Sequence, residues 1–231
     1  SRGNKKLLYG LFYFVIFAGM SFGTYLFFLK PEPVVVQEPT ELDLLKLEIG
    51  RPQVLGIGEK TNIWIQVSNP SANYGSLDLE YAFNITSLIG GNLSVVDGRM
   101  SIYPKETKYI LVTGVNIPLE DMGDVIFTHD VSFVEASMLP EQNISADKTE
   151  ITFPEKEIQV VGFLLNDSPK DLERVKVSIF FLDASGEIVN NATTFVDQLN
   201  AFKEKEFFVK VPKTEKFIVP EKTQIFWEVS Y

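Results

Sequence analysis

Residues 7–29 form a run without a single charge, bounded by Arg2, Lys5 and Lys6 before it and by Lys30 after it. As a helix these 23 residues would cover about 34 Å, enough for a hydrocarbon layer of about 30 Å. The run predicts one transmembrane helix, which would make the lipid bilayer a partner through residues 7–29 and put everything after it on one side. The basic cluster on the short tail, residues 1–6, places that tail in the cytoplasm and the C-terminal domains outside. A cleaved signal peptide fits less well, because its apolar region spans 7 to 15 residues and the small pair Gly19 and Ser21 falls inside the run here. Lipid attachment to cysteine is excluded, since the chain has none. Gly19 and Gly23 make a GxxxG pair, a face on which two spans can approach closely; glycine is also common in membrane helices without that role.

Beyond the run the chain is acidic. It holds 31 Asp and Glu against 21 Lys and Arg, and Arg2, Lys5, Lys6 and Lys30 belong to the ends of the apolar segment. Nucleic acid is not an expected partner, because phosphate backbones require clustered bases, whereas here they alternate with acids, as in Lys203, Glu204, Lys205 and Glu206. Without disulfides, burial alone must hold the exterior domains, and 19 Phe supply the means. Pro31, Pro33 and Pro39 with no glycine between them predict an extended, polyproline-like spacer over 30–41. A second break, the linker 139–149, separates a first domain at 42–138 from a second at 150–231.

Inside both regions the hydrophobic period is two. Leu77, Leu79, Tyr81 and Phe83 alternate with Asp78, Glu80 and Ala82, and Val175, Val177, Ile179 and Phe181 repeat the pattern. Further strands are expected at 62–67, 108–115, 126–134, 158–165, 204–211 and 223–231. The two regions also align. Segment 77–83 maps on 175–181, 105–108 on 203–206, and 131–133 on 229–231, each 98 residues apart. The turn Asn69-Pro70-Ser71 matches Asn166-Asp167-Ser168 after a one-residue shift. Ordered matches at one spacing predict a duplicated unit of about 95 residues, the size of an immunoglobulin-like sandwich. The expected fold is therefore all-β: two tandem immunoglobulin-like β-sandwiches preceded by one transmembrane α-helix.

The second region, with Phe180, Phe181, Leu182 and Asp183 closing a strand before the turn Ser185-Gly186, resembles the FxLYD class of immunoglobulin-like domains. The first region resembles it less, with Asn84 standing where Asp183 is expected. The N-terminal segment is similar to single-span envelope proteins of unassigned role. These resemblances imply extracytoplasmic adhesion or assembly modules and carry no catalytic residue.

Tests for chemistry return little. His129 is the one histidine, so a two-histidine zinc site cannot form within the chain, and no nucleophile motif accompanies it. Glu120, Asp121, Asp124 and Asp130 are the densest acids and could offer oxygens to Ca²⁺ if a loop gathered them, though not at EF-hand spacing. Asp183-Ala184-Ser185-Gly186 reads as a hairpin turn with Gly186 at positive φ. Sequons stand at Asn84, Asn92, Asn143 and Asn191, candidates for glycosylation in a host with the machinery; Asn and Ser or Thr are equally ordinary turn residues. Trp64, out of phase with Ile63, Ile65 and Val67, and Trp227 either pack between sheets or meet a partner.

The function expected is non-enzymatic and needs no cofactor: a cell-membrane protein of the envelope whose exterior domains bind or scaffold a protein or glycan partner. Two other readings stand beside it. One is an accessory subunit, or a homo-oligomer, docking through the face of Gly19 and Gly23. The other is a metal-dependent hydrolase built on the acidic group.

Overall fold

The computed structural model describes residues 2–25, 45–141, 143–214 and 216–229. The chain divides into two units, 1–40 and 41–231. In the first, α1 spans Arg2–Thr24, so most of the expected tail continues the helix. Leu11, Phe14, Phe17 and Phe22 are all exposed, and exposed apolar side chains surround the helix instead of lining one stripe. Among the described residues no helix is long and apolar enough to cross a membrane. The described part of the uncharged run, 7–25, would cover about 28 Å against the layer's roughly 30 Å. Residues 26–29 of the expected span, the spacer 30–41 and the start of the first expected domain, 42–44, lie outside the described residues.

The second unit is all-β, built from antiparallel strands. In chain order these are β1 (Glu48–Ile49), β2 (Gln53–Ile57), β3 (Lys60–Ser68), β4 (Tyr74–Ser87), β5 (Asn92–Ile102), β6 (Thr107–Val115), β7 (Met122–Val131) and β8 (Val134–Glu135). There follow β9 (Ile144–Thr152), β10 (Glu157–Asn166), β11 (Leu172–Leu182), β12 (Ile188–Leu199), β13 (Lys203–Pro212) and β14 (Gln224–Val229). In the first half β3 pairs with β2 and β6, and β4 with β5 and β7. In the second, β10 pairs with β9 and β13, and β11 with β12 and β14. The same six-strand order is thus used twice. Each half is sandwich-like, with its own core: Ile65, Phe83, Ile102 and Ile110 in the first, Val160, Ile179, Phe181 and Phe207 in the second.

The matched turns have a physical basis. Asn166 is fully buried; its Nδ2 donates to the carbonyls of Lys170, Leu199 and Asn200, and its Oδ1 accepts from Ser168 N–H and Oγ–H. Asn69 does the same from β3: Nδ2 donates to the Tyr74 and Tyr103 carbonyls and Oδ1 accepts from Ser71 N–H. One amide thereby ties the exit of a strand in one sheet to turns leading to the other, satisfying backbone groups that burial would otherwise leave unpaired.

The pairing corrects the alignment. Leu79 sits opposite Val131 and Val175 opposite Val229, so Leu79, not Leu77, is the counterpart of Val175. Leu77 is 41% exposed because β4 bulges between Ser76 and Leu79 and the alternation changes phase there. Thr107, not Glu106, corresponds to Glu204, as their partners Ser68 and Leu165 show. Ser87, not Asn84, takes the place of Asp183: each opens a hairpin whose third following residue is glycine at positive φ, Gly90 (83°) and Gly186 (88°). The expected linker is also shorter, because residues 144–149 belong to β9, paired along β10. β5 and β12 escape the period-two reading because small or polar residues occupy inward positions, Ser94 and Gly98 opposite Ile85 and Tyr81, and Asn190 and Thr194 opposite Phe181 and Val177.

Candidate functional site

The feature that distinguishes the two halves is the seam between them. β3 turns Ile63, Ile65 and Val67 inward, which leaves Asn62 and Trp64 on its outer face. Trp64 is only 6% exposed all the same, because that face is covered by the second half. Trp64 and Leu111 form a separate apolar cluster with Phe180 and Leu182, to which Tyr109 and Phe226 add. Trp64 meets Phe180 edge to face at 6.4 Å, and Tyr109 lies 4.9 Å from Phe180 and 5.0 Å from Phe226. These spacings are those of favourable aromatic pairs.

Polar groups border this cluster. At β12, Asn62 Nδ2 donates to Asn191 Oδ1 at 2.6 Å, and Gly114 N–H donates to Asn62 Oδ1 at 2.8 Å. At β14, Glu228 pairs with Lys176 at 3.7 Å. Burial pushes the Glu228 carboxyl up, opposed by Lys176 and by Lys108 of the first half. Lys108 is itself buried, bonded to the Ser101 carbonyl at 3.0 Å and paired with Glu106 at 3.1 Å. Burial first, and the Glu228 charge second, raise the Tyr81 hydroxyl far above its ordinary range. Acids and bases of both halves therefore share one poorly solvated region, where each interaction outweighs its counterpart at the surface.

The residues singled out in the sequence are not brought together. Gly19 and Gly23 stand on α1 with open space around them, nothing lying within 4 Å of an added Cβ. Asn92 and Asn143 are exposed, while Asn84 is partly covered on the central strand β4. Asn191 is 1% exposed and held by Asn62 in the seam, so the folded chain has no room for a glycan there, and that candidate is withdrawn. The acidic group does not lie on one loop: Glu120 and Asp121 are in a short 3-10 turn, while Asp124 and Asp130 lie along β7, about 20 Å apart at strand spacing. Among the described residues no three His, Asp or Glu side chains gather to hold a metal. His129 faces Tyr81 across the β4 and β7 ladder and stacks on Phe127 at 5.8 Å. Trp227 points into the second core. The seam was signalled in the sequence only by Trp64 being out of phase; Asn62 and Asn191 gave no local sign.

No family model and no curated protein matches the chain. Among solved structures the comparison finds red sea bream transglutaminase, with 9% identity and a TM-score of 0.26 over 87% of this chain. The chain spans 34% of that structure's length, and a score this low carries no argument about fold or role.

Proposed function

We propose that the protein is a single-pass, non-enzymatic binding or scaffolding component of the cell envelope, anchored through residues 7–29 and presenting two immunoglobulin-like β-sandwiches outside the cell membrane. The observation that carries this reading is the uncharged run, helical as far as it is described and apolar on every side. An apolar surface of that kind calls for lipid or protein around it. The repeated strand order, in which two consecutive strands pair in one layer, the next two pair in the other, and the last two are divided between the layers, supports the immunoglobulin-like part of the reading. Alkaline carbonate extraction of native membranes tests the anchor: the protein should stay in the pellet, and release into the supernatant sinks it. Crosslinking in the same membranes tests the role, with a recurrent envelope partner attached to residues 42–231 as the expected result. If crosslinking instead depends on Gly19 and Gly23, so that Gly19→Leu or Gly23→Leu abolishes it in a folded protein, the accessory-subunit reading replaces this one.

A further inference from the structure

On the β9 and β14 side of the second half, three cavities follow one another. The first, of about 450 Å³, is lined by Phe153, Phe217 and Pro220. Pro220 is shared with the second, of about 370 Å³, which Thr223, Ile225 and Ile151 also line. Trp227 is shared with the third, of about 570 Å³, which reaches Tyr103 and Pro104 of the first half beside the seam. Each neighbouring pair shares one wall residue, so the three lie in a row as a segmented groove. Among the described residues β14 pairs with β11 alone and β9 with β10 alone, so both strands that bound the groove have a free edge.

The first half shows the alternative. There the connection from β6 to β7 packs on β2, the equivalent of β9: Leu119 lies so close to Gly56 that an added Cβ would be 3.1 Å from it, and the connection is held by Thr61 Oγ–H of the neighbouring β3 donating to the Ile117 carbonyl at 2.7 Å. In the second half the matching connection turns toward β11, with Val219 N–H bonded to the Leu182 carbonyl at 2.9 Å. Ile225 and Trp227 are left partly exposed, and Thr223 Oγ is buried without a hydrogen-bond partner among the described residues. Phe217, at the far end, is 79% exposed.

We infer that this groove binds an extended polypeptide segment, which adds a strand to the free edge of β14 and sets alternate apolar side chains into the three cavities. Main-chain pairing supplies affinity and the cavities supply selectivity. The six residues of β14 correspond to about 20 Å of strand, the reach from the Phe217 cavity toward the one at Tyr103. Charge sets the direction. Lys213 and Lys216 stand at the Phe217 end, where Lys213 bonds the Pro154 carbonyl and Lys216 pairs with Glu187; Glu106, paired with Lys108, and the exposed Glu141 stand at the Tyr103 end. The segment is therefore acidic where it meets the lysines and basic where it meets Glu106 and Glu141. Antiparallel to β14, its N-terminal end is the basic one.

This inference rests on the binding role proposed above and names the partner's form. It is tested on the full chain in detergent with two labelled nonapeptides, Lys-Lys-Val-Thr-Val-Thr-Val-Glu-Glu and its charge-reversed counterpart Glu-Glu-Val-Thr-Val-Thr-Val-Lys-Lys. The first should bind saturably by fluorescence anisotropy and slow amide exchange across 224–229. Phe217→Ser and the pair Lys213→Glu with Lys216→Glu, all at the surface, should each weaken it about tenfold. No saturable binding by the first peptide, equal binding by the second, or exchange slowed at β5 and not β14 overturns the inference. Membrane extraction and crosslinking report on the anchor and role separately, so the groove can fail while that reading stands.

Discussion

The two halves of the β unit share strand order, a buried corner asparagine and a hairpin with glycine at positive φ, yet differ in what their outer faces meet. On the first half, Trp64 and Leu111 face outward and are almost wholly buried against Phe180 and Leu182. At the corresponding ladder positions the second half carries Val161 and Phe208, and Phe208 is 44% exposed. Inward residues are thus set by the sandwich-like layering, which both halves share, and outward ones by what lies against each face. A duplicated framework can keep its core pattern and change its contacts by substituting every second residue.

The most severe way to break this comparison is to test the register itself. Leu79→Lys places an unpaired charge in the first core and should cost more than about 4 kcal/mol, whereas Leu77→Lys, two residues earlier and on the outer face, should change stability by less than about 0.5 kcal/mol. Denaturant unfolding of the two variants decides it; equal losses would put Leu77 in the core. Next comes the seam. Phe180→Ala should destabilise by about 3–5 kcal/mol, as much as a substitution inside either core, because Phe180 is fully buried between the halves. A small loss would mean that the halves fold without leaning on each other.

The corner asparagines sharpen the likeness. Asn166→Ala should cost about 3 kcal/mol and Asn69→Ala about 2 kcal/mol, following the number of hydrogen bonds each amide makes. A reversed order in thermal melts would show that packing, not the amide, sets the cost. The smallest effect belongs to Glu228. Its carboxyl titrates higher in the folded chain than in the unfolded one, so protonation favours folding. That contribution is complete below the unfolded carboxyl's range and is lost as the pH rises through the folded value. Glu228→Gln cannot titrate there, so the stability of the variant relative to the parent should grow from acidic to neutral pH. Parallel pH profiles would show that the seam does not sense this charge.

Several of these features were legible in residue order. Strands carrying clear alternation, such as β10 and β13, lie within one residue of their expected ends, and Asn69 and Asn166 announced the repeated corner. The hairpin glycine at 186 was legible too, because a tight turn after Asp183 needs a backbone that glycine tolerates. The equal spacing of the matches was less reliable, since a bulge in β4 moves the phase by one residue without any mark in composition. Strands β5 and β12 were missed because Ser94, Gly98, Asn190 and Thr194 stand at inward positions where the period-two pattern asks for apolar residues. Asn191 looked like a turn sequon for a related reason: its burial depends on Asn62, 129 residues away.

The sequence by itself determined the uncharged run, the all-β character of the remainder, its two similar halves, the single histidine and the lack of cysteine. Each of these follows from local order, because side-chain alternation and charge are properties of neighbours along the chain. Only the tertiary structure decided that Trp64 is an internal contact, that Asn191 is closed to modification, that Lys108 and Glu228 share a buried region and that the β9 and β14 flank is open. These depend on which outer face is covered and which edge is left unpaired, and such contacts join residues too distant in sequence for any local pattern to encode them.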